Sequence, residues 1–408
     1  MTAAGSRAAG ALYGLAVGDA LGMPTQSLPR AQIVARYGGL LAEFQPGPPD
    51  QPIAAGLPAG SVTDDTEQAV LLANLIIEGS GVLDAAELAR RLLAWEESMR
   101  ARGSLDLLGP STKRALAALL AGADAGEAGR FGVTNGAAMR ITPVGIATPC
   151  ADLDNLVERV VEASRVTHNT GVALAGAAAV AAAVSAGISG ASVPEAGQVA
   201  VDAAARAAAR GHWVAAADVA ARITWAIGLV SGLVSGPGPG HGTDAVIETV
   251  YSLVGTSLAT QESVPAAFAV LAAAPDDPWL ACRIAASLGG DCDTIAAMAG
   301  AIGGACHGVD AFPPSARRTV AQVNGLRLDE IAGDLLALRE QAERRPTLRR
   351  PGRQQPGPGK PGPPGPGSHG PERGNPGSLS PGWLSPEPGR PGAGRPEPGE
   401  PGRGRPDP

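Results

Sequence analysis

Two short acidic segments lie far apart in the sequence, and each leads into an apolar helical run. The first is residues 62–67, with the sequence VTDDTE, and the second is residues 289–294, with the sequence GGDCDT. Asp, Ser and Thr favour helix N-caps, and carboxylates are stabilised near the positive end of a helix. Capping accounts for one acid in each segment, so two capped helices with solvated acids are one interpretation of the pattern.

Capping does not explain why Asp64 and Asp65 are adjacent, or why Asp291 and Asp293 flank a single residue. If the two segments meet in space, four carboxylates crowd one site and cannot all ionise without a cation. Carboxylate and hydroxyl oxygens are hard ligands that suit magnesium, manganese or calcium rather than zinc. The two segments together therefore predict a site for two metal ions, with oxygen ligands from Thr63, Asp64, Asp65, Asp291, Asp293 and Thr294.

Five segments of the chain also resemble the motifs of a known family. In order they are GLAVGDALG at residues 14–22, TDDTE at 63–67, TNGAAMR at 134–140, TH at 167–168 and GGDCDT at 289–294. One acid-rich turn is weak evidence, whereas five motifs in order across residues 10–310 are specific. The chain thus resembles the ADP-ribosylglycohydrolases, which include the dinitrogenase reductase-activating glycohydrolases and the ADP-ribosyl-acceptor hydrolases.

This resemblance implies an all-α fold with a dinuclear magnesium or manganese centre, and cleavage of the glycosidic bond at C1″ of a ribose. The substrate would be an ADP-ribosylated protein or a small ADP-ribosyl or ribosyl compound. A carboxylate of the acidic segments, Asp64 or Asp291, would transfer the proton, and the sequence does not choose between them. The metals would orient the sugar and lower the pKa of a bound water.

Further predicted site residues lie in the other motifs. Asp19 either braces neighbouring loops or orients a metal ligand. Backbone N–H groups of residues 132–140 could hold an anion such as a phosphate, whereas Arg140 could instead pair with a core acid. A lone histidine such as His168 is usually structural, and the resemblance implies that it belongs to the site wall. With the resemblance added, we predict that the substrate-binding residues are Gln26, Asn135, Gly136, Met139, Arg140 and His168.

Gln26 departs from the family pattern. Many members have a glutamate seven residues after the aspartate of the Gly-Asp motif, which is Asp19 here. A neutral amide cannot act as a general base or as an anionic metal ligand. A mechanism that relies on that glutamate does not transfer to this chain, which favours a small-molecule or atypical substrate. Cys292 stands where threonine is frequent, and we expect its side chain to point away from the metals.

Composition predicts one large helical domain followed by a tail. The chain has 408 residues, of which 44% are hydrophobic and 3% aromatic, so Ala, Leu, Val and Ile must build the core. We predict the domain at residues 5–345 and a disordered Pro/Gly-rich tail at 346–408, because the tail has too few apolar residues to offset its ordering entropy. The alanine-rich stretch 172–184 is too short for a membrane span and is predicted to be a buried core helix.

The net charge and the cysteines bear on whether the protein binds nucleic acid, forms disulfides or lies in the cytoplasm. A formal net charge of −7 argues against a nucleic-acid groove, which would need a basic face. The four cysteines show no paired spacing, so we expect no disulfide. We expect a cytoplasmic monomer with no membrane partner.

Three other functions are compatible with the same sequence. A metal-dependent phosphohydrolase of a nucleotide would use the same hard oxygen ligands. A binding module without catalytic activity would keep the fold and the metals. A structural protein resembling the eye-lens crystallins of this family would keep only the fold. Intact acidic segments argue against the last two.

Overall fold

The computed structural model describes residues 1–105, 108–234 and 242–344, all within one compact unit. The predicted tail at 346–408 lies outside the described residues. Within them no strand is found, and two isolated bridges join Thr134 to Ala259 and Thr170 to His212. The helices are α1 Ala3–Gly22, α2 Arg30–Tyr37, α3 Asp64–Glu78, α4 Ala85–Ala101, α5 Pro110–Leu120, α6 Ala125–Ala128, α7 Gly136–Met139, α8 Thr142–Ala147, α9 Leu153–Ser164, α10 Gly171–Ile188, α11 Val193–Ala207, α12 Val219–Val234, α13 Thr243–Thr249, α14 Thr260–Ala273, α15 Pro278–Ala286, α16 Cys292–His307, α17 Pro314–Asn324 and α18 Leu328–Arg344.

Local sequence signals account for many helix ends. Asp84 and Asp277 each accept a backbone N–H of the first turn, from Ala86 and Leu280, at the starts of α4 and α15. A side-chain oxygen at the N-cap satisfies a donor that the helix itself leaves unpaired. Gly325 ends α17 in the left-handed conformation, with φ of +63°. The all-α fold predicted from composition is therefore confirmed.

Helix α10 forms the centre of the core. All of its residues from Gly171 to Ile188 are buried, and most of them are alanine or valine. In the described part of the chain it is the one helix long and apolar enough to cross a membrane by length and composition. Its complete burial inside the protein confirms the prediction of a core helix. The four cysteines are free, as expected.

Helices α1 and α16 pack unusually closely because small residues face each other along both. A Cβ at Gly14 would lie 2.0 Å from the carbonyl oxygen of Gly300, and one at Gly10 would lie 2.3 Å from that of Gly304. At the other end of α1, a Cβ at Gly22 would lie 2.2 Å from the Cα of Asp293. Glycine is required here because any side chain would push the two backbones apart.

These contacts show that α1 and α16 run antiparallel. The C-terminal end of α1 therefore lies against the N-terminal end of α16, where the second acidic segment begins. Helix α3, whose first turn carries the first acidic segment, also packs on α1 and α16. The fold thus brings together the C-terminal end of α1 and the N-terminal ends of α3 and α16.

Candidate active site

Asp19 on α1 holds the start of α3. Its Oδ1 accepts the Thr63 hydroxyl at 2.7 Å and the Thr63 backbone N–H at 3.0 Å. Its Oδ2 accepts the hydroxyl of Thr66 at 2.5 Å and the backbone N–H of Thr66 at 3.1 Å. Burial raises the pKa of Asp19 to about 6, although these hydrogen bonds oppose the rise. Asp19 thus braces the start of α3, and through the same bonds it fixes Thr63, whose role as a metal ligand stays a prediction.

Two glycines place the second acidic segment at the start of α16. Gly289 and Gly290 have φ of +96° and +70°, a region that residues with a Cβ seldom adopt. The Gly290 carbonyl accepts the backbone N–H of Ser27 at 2.7 Å, and the Asp291 N–H donates to the carbonyl of Thr256 at 2.7 Å. This turn places Asp291 and Asp293 near the N-terminal end of α3, where their charges act on Asp65.

The two acidic segments meet at Asp65. Its Oδ2 accepts the hydroxyl of Thr294 at 3.2 Å and that of Thr63 at 3.3 Å. The side chain is fully buried. Burial raises the pKa of Asp65 well above its ordinary value, and the charges of four other acids raise it further, namely Asp64, Asp19, Asp293 and Asp291. These acids therefore share one electrostatic environment, as the sequence pattern predicted for segments that meet.

The chemistry of this donor set fits a hard cation. Asp65 Oδ1 is buried and has no hydrogen-bond partner in the part of the chain that the structure describes. An unsatisfied buried carboxylate oxygen is costly, and a cation would satisfy it. Among the described residues, no three Asp, Glu, His or Cys side chains are already grouped as the ligands of a metal ion. The hydroxyls of Thr63 and Thr294, which lie against Asp65, are further hard oxygens at this place, and their role as metal ligands stays a prediction.

A cavity of about 620 Å³ opens beside the acids. This volume lies within the roughly 300–1,000 Å³ of sites that enclose small molecules. Predicted site residues on its wall are Gln26, Asp64, Asn135, Gly136, Met139, Asp291, Asp293 and Thr294. Its other wall residues are Ser27, Ile53, Gln68, Leu108, Gly109, Pro110, Thr112, Thr134, Ser257, Leu258, Ala259 and Gly290.

Asn135 connects the third motif to the acids. Its Nδ2 donates to Asp291 Oδ2 and, at 3.0 Å, to the hydroxyl of Ser263. Burial raises the pKa of Asp291 to about 6, while hydrogen bonds from Asn135 and Thr294 oppose the rise. Asn135 therefore orients the Asp291 carboxylate at the cavity wall.

Gln26 is held by its backbone at the edge of the same cavity. Its N–H donates to the carbonyl of Gly22 at 2.9 Å, and its own carbonyl accepts Gln51 Nε2 at 2.9 Å. The side chain is 6% exposed, and its Nε2 has no hydrogen-bond partner within the described residues. This position suits the predicted contact with a substrate. Cys292 faces the other way, with its sulfur 3.3 Å from the Thr25 hydroxyl.

Arg140 and His168 lie behind the cavity and do not line it. Both are fully buried. His168 Nε2 lies 3.0 Å from the hydroxyl of Thr134, which does line the cavity, and Nδ1 lies 2.8 Å from the Thr167 hydroxyl. Arg140 reaches the wall through Gln68, as His168 does through Thr134, so in this structure both support the wall. Their predicted binding of substrate stays a prediction.

Sequence reasoning missed two parts of the site. Gln68 follows Asp64 by four residues, a spacing that places both on one face of a helix, and this signal was available. Residues 257–259 line the cavity because Asn135 N–H donates to the Leu258 carbonyl at 3.0 Å. No feature of that loop indicates a pocket, because its place depends on a contact distant in sequence.

Comparison with known proteins agrees with this architecture. A sequence model described as ADP-ribosylglycohydrolase matches residues 1–345. The chain is 37% identical over 337 residues to YegU of Escherichia coli (strain K12), an uncharacterised protein, and the match covers 83% of this chain and 98% of that one. It is 31% identical over 173 residues to the ADP-ribosyl-(dinitrogen reductase) glycohydrolase of Rhodospirillum rubrum, covering 40% of this chain and 51% of that enzyme.

A solved structure shows the same likeness in three dimensions. The chain is similar to a protein whose structure is titled "ADP-ribosylglycohydrolase-related protein complex", with a TM-score of 0.59 and 25% sequence identity. The match covers 83% of this chain and 100% of that chain.

Proposed function

Because the chain belongs to the ADP-ribosylglycohydrolase family, we propose that it hydrolyses the glycosidic bond of a ribosyl group bound in the cavity beside the acids. The observation that carries this proposal is the meeting of two distant acidic segments at the buried Asp65, next to a ligand-sized cavity whose wall carries Asp64, Asp291 and Asp293. The substrate is an ADP-ribosylated protein or a smaller ribosyl conjugate.

Two divalent ions, Mg²⁺ or Mn²⁺, are part of the proposal. Their ligands would come from the hard oxygens of Thr63, Asp64, Asp65, Asp291, Asp293 and Thr294. Bound there, such ions lower the pKa of water and offset the charge of the acids.

Side chains of the protein would transfer the proton and bind the substrate. In glycosidases a carboxylate takes the proton of the attacking water while the bond from the sugar carbon to the leaving group breaks and positive charge develops at that carbon. A proton then passes to the leaving group. We assign the role of this carboxylate to Asp291, because Asn135 donates to its carboxylate and orients it at the cavity wall. Asp64 Oδ2 accepts Gln68 Nε2 at 2.9 Å, and we assign Asp64 to the metal ligands alone. Gln26 would donate a hydrogen bond to the substrate.

The test is a product analysis. ADP-ribosylated peptides with serine and arginine linkages, and small ribosides, would be incubated with the protein and Mg²⁺ or Mn²⁺ and analysed by mass spectrometry. Release of free ADP-ribose or ribose is expected, together with loss of activity on chelation. Release of inorganic phosphate from nucleotides, with every ribosyl bond intact, would replace the proposal with a phosphohydrolase.

A further inference from the structure

A positive charge lies buried behind the cavity without a direct carboxylate partner in any hydrogen bond that the structure shows. The Arg140 side chain is fully buried. Burial lowers its pKa to about 10, and the charge of Asp64 opposes this change. The guanidinium is therefore still protonated at neutral pH. Burial of such a charge is costly, and acceptors for its N–H groups reduce that cost. The Nε–H of Arg140 has no partner among the described residues, so the two Nη atoms make its hydrogen bonds.

Two neutral side chains supply acceptors to this guanidinium. Arg140 Nη1 donates to Gln68 Oε1 at 3.1 Å, and Nη2 donates to the Thr167 hydroxyl at 2.5 Å. Gln68 is itself buried, with 1% of its surface exposed. The cation is thus connected to the site through an amide.

The other end of that amide reaches the acidic segment. Gln68 Nε2 donates to Asp64 Oδ2 at 2.9 Å. The orientation of the amide follows from chemistry, because a guanidinium only donates and an ionised carboxylate only accepts. Because Arg140 donates to Gln68 Oε1, the Nε2 of the same amide faces Asp64.

The helix register supports the same arrangement. Asp64 is the first residue of α3 and Gln68 lies four residues later, so both side chains lie on one face of the helix. Gln68 is anchored at its far end by Arg140. Its Nε2 is thereby held against the Asp64 carboxylate at the cavity wall, which Asp291 and Asp293 also line.

We propose that Gln68 is a positioning residue: fixed by Arg140, it holds the Asp64 carboxylate in the orientation that binding of a divalent cation requires. The inference rests on the proposed function, since it concerns the same site. Partners that orient a metal ligand typically change metal affinity by about 10- to 100-fold when they are removed. We expect removal of the Gln68 amide to weaken cation binding by a similar factor.

The test measures Mn²⁺ directly and needs no substrate. Gln68→Met keeps the length of the side chain but removes both hydrogen bonds, and Gln322→Met changes an exposed glutamine on α17 as a matched control. Titration calorimetry should show a dissociation constant for Mn²⁺ at least about tenfold higher in Gln68→Met and unchanged in the control. An unchanged constant in folded Gln68→Met overturns the inference.

A second variant covers the case in which Gln68→Met does not fold. Gln68→Glu keeps an acceptor for Arg140 but offers no donor to Asp64. A melting temperature near that of the wild type, with an altered electron paramagnetic resonance spectrum of bound Mn²⁺, is expected. A wild-type spectrum together with wild-type affinity would refute the positioning role. If the wild-type protein binds no Mn²⁺, the metal part of the proposed function fails instead.

Discussion

The hydroxyl of Thr294 lies 3.2 Å from Asp65 Oδ2, although 229 residues separate the two in the sequence. This contact joins the first turn of α16 to the first turn of α3. It places the two acidic segments in a single site, and it explains why the other acids raise the pKa of Asp65. We therefore expect the Asp65 carboxylate to be needed for activity but to lower the stability of the metal-free protein.

Asp65→Asn should lower activity and raise stability in the absence of metal. Turnover should fall at least about a hundredfold, which corresponds to about 2.7 kcal/mol of activation free energy. In chelator the melting temperature should rise, because the amide removes a buried charge that burial and neighbouring acids disfavour. Asp334→Asn, on the exposed surface of α18, is the control and should change neither quantity. A lower melting temperature of metal-free Asp65→Asn would contradict this account.

Gln26→Glu should lower activity on the native substrate. The change adds a carboxylate to a wall that already carries Asp64, Asp291 and Asp293, and it removes an amide donor. Like charges at this distance raise each other's pKa values and alter metal affinity. Gln26→Met separates loss of the amide from gain of charge. Kinetics on serine-linked and arginine-linked ADP-ribosyl peptides and on small ribosides would decide, and faster turnover of Gln26→Glu on every substrate would refute the prediction.

His168 should make the protein less stable in acid. Burial, and secondarily the charge of Arg140, lower its pKa well below 6.5, so the folded protein keeps it neutral. The unfolded chain binds a proton near pH 6.5, so the free energy of unfolding decreases as the pH falls below that value. Between pH 7.5 and 5.5 the loss is on the order of 1 kcal/mol. Urea unfolding of wild type and His168→Gln at both pH values isolates the effect, and parallel pH dependence of the two proteins would exclude it.

Gly14→Ala should destabilise the domain. The added methyl would lie 2.0 Å from the Gly300 carbonyl oxygen, so α1 and α16 must separate. Overpacking of this kind typically costs about 1–3 kcal/mol. Gly228→Ala is the matched control on α12, where nothing lies within 4 Å of the new Cβ. It should stabilise by about 0.5–1 kcal/mol, because alanine loses less backbone freedom in a helix. Chemical unfolding of both variants measures the difference, and equal effects would contradict the packing argument.

Deletion of residues 351–408 should leave the melting temperature and turnover nearly unchanged. The prediction comes from composition alone, since this segment lies outside the described residues. It is dominated by Pro and Gly and has few apolar side chains with which to join the core. Differential scanning calorimetry of the truncated and full chains checks it, and a markedly lower melting temperature after truncation would show that the segment packs on the domain.

The helical nature of the fold could be predicted from the sequence because it depends on local properties. Alanine-rich runs favour helix through low side-chain entropy, and Asp84 and Asp277 mark helix starts by capping a neighbouring N–H. The five motifs likewise identified the family, because each is a contiguous run of residues. The acids and threonines of the site were named from the same runs, and their metal-binding role stays a prediction.

The meeting of those runs was decided by tertiary structure. Nothing local to residues 62–67 or 289–294 specifies their separation, which depends on how closely Gly14 approaches Gly300 along two antiparallel helices. The burial of Arg140 depends on packing in the same way. In the sequence, Arg140 ends a glycine-containing segment whose backbone N–H groups could hold a phosphate, and this suggests a contact with the substrate. In the fold its Nη1 and Nη2 atoms donate to Gln68 and Thr167, and Gln68 connects it by hydrogen bonds to Asp64 in the site.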